Sequence, residues 1–239
     1  MQTFNLRNSF FSLALVAISS IPSGLLTGCS TDTSQNQVSN STATAIEAND
    51  NQMMNHDNHM MNHGDGMSHN MKMDLGAADA NYDLRFIDAM IHHHQGAVDM
   101  AKQALEKSKR PEIEKLASEI IKAQNQEIGE LQQWRKAWYP SASSNSMAHD
   151  SQTGQTVPMS HEQMQGMMMK MDLGAADAGF DLRFINAMIP HHEGAITMAQ
   201  DALKKSQRPE IKKLAQSIIN SQQAEINQMK QWRKTWYNK

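Results

Sequence analysis

Thiol is nearly missing from this sequence: of 239 residues one is cysteine, Cys29. The rest of the chain therefore holds neither a disulfide nor a thiolate ligand. Sustained apolar runs are scarce as well. With 39% hydrophobic residues the chain does not read as membrane-embedded. Its one candidate run, residues 10–26, is interrupted by Ser19, Ser20, Pro22, Ser23 and Gly24 before it reaches the ~20 apolar residues of a membrane span. Neither sign of charge dominates: the formal net charge is −3 and there is no basic patch, which argues against a nucleic-acid partner. The Glu-x-x-His motif of carboxylate-bridged di-metal bundles does not occur.

Methionine and histidine take up the space. The chain has 20 methionines and 11 histidines, and every histidine lies among methionines. Thioether sulfur is a soft, uncharged ligand and imidazole a borderline one, so together they suit Cu(I) or Ag(I). Thioethers also need no deprotonation and do not oxidise to disulfides, an advantage outside the cytoplasm.

The N-terminus reads as a targeting segment. Arg7 precedes the interrupted apolar run, which ends in Leu26-Thr27-Gly28-Cys29, similar to a bacterial lipobox. On that reading residues 1–28 are a signal peptide and Cys29 is the lipidated first mature residue, a membrane tether on the periplasmic or cell-surface side. Residues 29–72 then form a disordered tether, Ser/Thr/Asn/Gln-rich at first and carrying Met53, Met54, His56, His59, Met60, Met61, His63, Met67 and His69 further on. A similar segment recurs at 140–170 with His149, His161, Met164, Met167 and Met168. Both are expected to be mobile segments that capture metal.

The recurrence belongs to a larger repeat. Residues 73–139 superpose on 171–237 without a gap, and 44 of the 67 positions are identical. Each copy reads as two helices. The first spans about Ala78 to Lys107, and the second opens at Pro111, a residue favoured at the first helical position. The short connection near Lys107–Arg110 makes an antiparallel hairpin. Two hairpins, repeat 1 at 73–139 and repeat 2 at 171–239, predict an all-α antiparallel four-helix bundle.

A helical wheel at ~100° per residue gathers Asp83, Phe86, Met90, His93, His94, Ala97, Met100 and Ala101 on one face. The copies agree on that face, where Met188, His191, His192 and Met198 match Met90, His93, His94 and Met100. They differ on the other, where His92 becomes Pro190, Asp88 becomes Asn186, Gln95 becomes Glu193 and Asp99 becomes Thr197. The differing face is read as solvent, and His92 is set aside. On the second helix Gln124, Glu127 and their counterparts Gln222 and Glu225 interrupt an aliphatic stripe. A buried carboxylate without a partner is costly, so Glu127 and Glu225 are expected to face a histidine or a metal and to orient the ligating rings. Asp83 and Asp181 are assigned the same supporting role. Pro190 is expected to kink or break its helix. Trp134, Trp138, Trp232 and Trp236 are read as packing residues that close each copy.

The pattern from Asp83 through Phe86, Met90, His93-His94, Ala97 and Met100-Ala101, met again from Asp181 to Ala199, resembles the family catalogued as domain of unknown function 305. So does the later Glu-Ile-x-x-(Leu/Met)-x-x-Trp at Glu127–Trp134 and Glu225–Trp232. The resemblance implies a ferritin-like helical bundle. The two-copy, Met/His-rich layout is similar, within that family, to a periplasmic copper-binding member associated with copper tolerance. It implies that Met90, His93, His94, Met100, Met188, His191, His192 and Met198 are copper-site candidates. The expected function is an extracytoplasmic, non-catalytic protein that sequesters Cu(I) or Ag(I) and contributes to copper tolerance. Copper ions are its ligand and a copper-efflux component is its candidate protein partner. The alternatives are a ferritin-like metal-dependent oxidase and a structural or signalling bundle without metal.

Overall fold

A computed structural model describes residues 73–239. The expected signal peptide, Cys29 and the metal-capture candidates from Met53 through His69 lie outside the described residues.

Within them the chain runs α1 (Tyr82–Lys107), α2 (Pro111–Trp138), β1 (Met147–His149), β2 (Thr156–Pro158), α3 (His161–Met168), α4 (Phe180–Lys205) and α5 (Pro209–Tyr237). The four long helices form the predicted antiparallel bundle of two hairpins. Proline stands at the start of both α2 and α5, where a missing N–H costs nothing because no intrahelical acceptor exists for it. The first helix of each copy begins later than predicted. Residues 77–81 are turns because their carbonyls serve a side chain: Arg85, buried in α1, donates to the carbonyls of Leu75 and Ala77 and to the Asp79 carboxylate. Arg183 repeats the two carbonyl bonds at Leu173 and Ala175. Pro190 neither ends nor splits its helix; α4 runs through it, with the proline ring on the exposed face.

α1 packs on α2 and α4 on α5, while α1 and α4 join the hairpins through Ala97, Ala101 and Ala104 and their counterparts Ala195, Ala199 and Ala202. Two apolar clusters result. One joins the C-terminal half of α1 to the N-terminal half of α4 and includes Met100 and Met188. The other joins the opposite halves and includes Met90 and Met198. The two ends are clasped in the same way. Arg110, in the α1–α2 turn, pairs with Asp181 at 3.3 Å and lies 4.3 Å over the Trp236 ring. Arg208, in the α4–α5 turn, pairs with Asp83 at 3.5 Å and lies 4.1 Å over Trp138.

The segment 140–170 departs from its prediction. Expected as a disordered linker, it is a folded cap on α1. β1 and β2 pair antiparallel with Met147 opposite Pro158 and His149 opposite Thr156. α3 starts with a reciprocal cap between Ser160 and Gln163 and ends at Met169 in a left-handed turn. The cap is held by the face of α1 that differs between the copies. Asp88, only 1% exposed, takes two bonds from Arg135 and one of 2.8 Å from the Met147 N–H. His92 meets Ser146 at 2.8 Å, and Lys170 pairs with Asp99 at 3.1 Å. Among the described residues only the first copy carries a neighbour on this face, which accounts for the divergence there. Reading that face of α1 as solvent was incorrect.

Candidate metal centre

His93 and His94 lie at the middle of α1, and His191 and His192 at the middle of α4, so antiparallel packing brings all four into one layer between the apolar clusters. All four side chains are buried. The His93 and His191 rings stand 3.9 Å apart between centroids, tilted by 47°. The outer pair has carboxylates behind it. His192 Nε2 donates to Glu225 at 2.6 Å. His94 Nε2 is 2.8 Å from Glu127, an ion-pair distance without the direction of a hydrogen bond. His191 Nε2 donates to the Met168 carbonyl at 3.1 Å.

These contacts leave an unusual remainder. Both nitrogens of His93, and Nδ1 of His94, His191 and His192, are buried with no hydrogen-bond partner. Buried polar atoms in native proteins nearly always have one. Burial also suppresses protonation. It holds His93 well below the usual imidazole range, with His191, His94 and His192 adding repulsion. His191 is lowered to about 3, by burial first and by His192 next. His93 and His191 therefore present lone pairs rather than charges. Where Nε2 donates, as in His191 and His192, Nδ1 is the nitrogen left open to a ligand.

Sulfur lies on the same faces. Met90 precedes the α1 pair by three and four residues and Met100 follows at six and seven, which puts both within two turns on one side of the helix. Met188 and Met198 repeat the arrangement, and all four are fully or almost fully buried. Among the described residues no three His, Cys, Asp or Glu side chains form a metal-sized group. The buried thioethers are the further soft donors on these faces.

Met73, which closes the first Met/His-rich run and was not among the ligand candidates, lies beside His93. A Cβ on Gly194 would stand 3.0 Å from Met73 Sδ and 3.1 Å from His93 Nε2, so the missing side chain opens a notch shared by thioether and imidazole. The matching notch at Gly96 is closed by the Met168 carbonyl, which is the acceptor of His191. The other signal in the sequence was the position of Met73 at the head of the repeated block. Its counterpart Met171 gives no support, being 53% exposed.

The remaining candidates fall elsewhere. Asp83 and Asp181 do not support the histidines; each belongs to an end clasp, ten residues along its helix from the ring layer, about 15 Å at 1.5 Å per residue. His161, Met164 and Met168 are ordered on α3 and, with the discounted His92, line an open groove of about 650 Å³. His149 and Met167 line a smaller cavity on the other side of the cap.

Comparison with known proteins agrees with this architecture. CopM, solved in Cu(I)-bound, Cu(II)-bound, silver-bound and apo forms, is 39–42% identical with TM-scores of 0.51–0.52, and the match covers 65% of this chain and 97–98% of CopM. A DUF305 fragment from Deinococcus radiodurans is 26% identical with a TM-score of 0.50, over 64% of this chain and 95% of the fragment. Uncharacterized protein L153 of Acanthamoeba polyphaga mimivirus is 51% identical over 49 residues, 20% of this chain and about a third, 32%, of that protein. The sequence model described as Domain of unknown function (DUF305) matches twice, at residues 24–135 and 83–233. This chain is a member of the DUF305 family.

Proposed function

We propose that the protein is an extracytoplasmic, non-catalytic copper binder that holds Cu(I), and equally Ag(I), in the central histidine–methionine layer and so limits the free ion. The observation that carries this reading is the set of buried imidazole nitrogens without hydrogen-bond partners at the middle of the bundle, with His93 and His191 held unprotonated by burial. Such nitrogens cost stability in the free protein and gain a purpose with a ligand. Metal-bound CopM structures support the choice of copper and silver. A soft, monovalent ion suits neutral ligands, and Glu127 and Glu225 supply compensating negative charge behind the rings.

Cys29 would anchor the chain by a lipid on the outer side of a membrane, and residues 53–69 would gather ions for delivery to the bundle. A copper-efflux component is the candidate downstream partner. Titration of the full chain with Cu(I) against a competing chelator tests the reading. Replacing His93 and His191 by glutamine should remove the tightest bound copper while keeping the helical spectrum. Unchanged affinity and stoichiometry would defeat the assignment to the bundle.

A further inference from the structure

We infer a second soft-metal site, separate from the histidine layer, in the cavity between the cap and α1. The cavity holds about 150 Å³, enough for one ion and its ligands, and is lined by Met147, Met159, Met167 and His149. Met159 and Met167 are 6% and 5% exposed. Three thioethers and an imidazole around one small space form an uncharged donor set of the kind that selects Cu(I) or Ag(I) over harder ions.

The placement of His149 supports the assignment. Gly76, at φ +76°, lets the imidazole close directly on the backbone, and a Cβ at that position would strike the ring. Its Nδ1 is buried there without a hydrogen-bond partner. The ring is thus held beside the thioethers at the expense of that nitrogen, which is unexplained if His149 is only a packing residue.

Two charged groups face the cavity, Arg85 and Asp74. The Arg85 guanidinium is committed to the Asp79 carboxylate and to the Leu75 and Ala77 carbonyls. Asp74 accepts from the Gly76 N–H, so the two opposite charges leave the thioethers and the imidazole to set the selectivity of the space.

Repeat 2 serves as an internal control. It carries the same Met-Asp-Leu-Gly-Ala-Ala-Asp-Ala loop at 171–178, with Gly174 at φ +75°. Among the described residues no cap covers that loop: a Cβ on Gly174 would meet Arg183, which is 40% exposed, at 3.6 Å. Within them the cap cavity therefore forms on repeat 1 alone.

Silver titration of the full chain with isotope-labelled methionine methyls tests this inference residue by residue. The Met147, Met159 and Met167 methyls should shift together along one saturation curve. His149→Gln should move that midpoint to higher silver and leave the Met90, Met100, Met188 and Met198 midpoints in place. If the three cap methyls stay still while the bundle methyls respond, or shift on unrelated curves, the cap site is refuted and the bundle reading stands. If the cap responds and the bundle does not, the cap site survives and the bundle reading falls.

Discussion

His93 of one hairpin and His191 of the other meet ring to ring, 3.9 Å between centroids, in the layer where the two copies join. Both are buried, and neither carries its ordinary affinity for protons.

That depression makes the metal-free fold sensitive to acid. The folded state holds fewer protons on these rings than the unfolded chain, whose histidines titrate near ~6.5. Their contribution to stability is therefore complete above about pH 6.5 and is lost as the pH falls from there toward the lowered value, about 3 for His191. The expected loss between pH 7 and 5 is at most about 2 kcal/mol per ring. Urea unfolding at both pH values checks it, and His93→Leu/His191→Leu should flatten the dependence. An equally steep slope in that variant would assign the acid sensitivity to other groups.

Glu127 and Glu225 should matter more for metal than for folding. Glu→Gln at both positions removes the negative charge beside His94 and His192 and keeps the side-chain volume. Affinity for Cu(I) is expected to drop about 10- to 100-fold, with little change in melting temperature. Competition titration and thermal melting together separate the two effects.

The two notch glycines should respond differently to the same substitution. At Gly96 a methyl group runs into the Met168 backbone, so Gly96→Ala should cost about 1–3 kcal/mol. At Gly194 the nearest obstacle is the end of the Met73 side chain, which can swing aside; buried His93 Nε2, at 3.1 Å, must give slightly, and alanine favours the helix by about 1 kcal/mol. Gly194→Ala should thus cost less than Gly96→Ala in a thermal melt and yet weaken copper binding by displacing Met73 from His93. Equal destabilisation by the two variants would contradict the asymmetry.

Asp88→Asn should loosen the cap without unfolding the bundle. It weakens the pair with Arg135 and the acceptor of the Met147 N–H, at a cost of about 2 kcal/mol, and Asn186 shows that the bundle accepts asparagine at the corresponding position. Limited proteolysis should cut within 140–170 sooner than in the wild type and leave the two hairpins intact.

The bundle was readable because the chain states it twice. Identical positions at a fixed offset located both hairpins, the inward His-His pairs and the glutamates on the aliphatic stripe. Comparison of the copies failed at Asp88 and His92, where divergence reflects a neighbour that, among the described residues, only the first copy possesses. The cap itself gave little periodic signal, since its strands have three residues each and its helix eight. Its order comes from docking on α1 rather than from local propensity. The approach of Met73 to His93 was hidden because it depends on a glycine 121 positions away in the sequence.

The unequal notches beside the ring layer give the molecule a direction. A peptide carbonyl shuts one approach, and moving it would require α3 to lift; a single methionine side chain covers the other, and it can turn within nanoseconds. The Met73 side is therefore the approach that opens by side-chain rotation alone. Two matching halves thus carry unequal approaches to the rings, and the cap helix makes the difference.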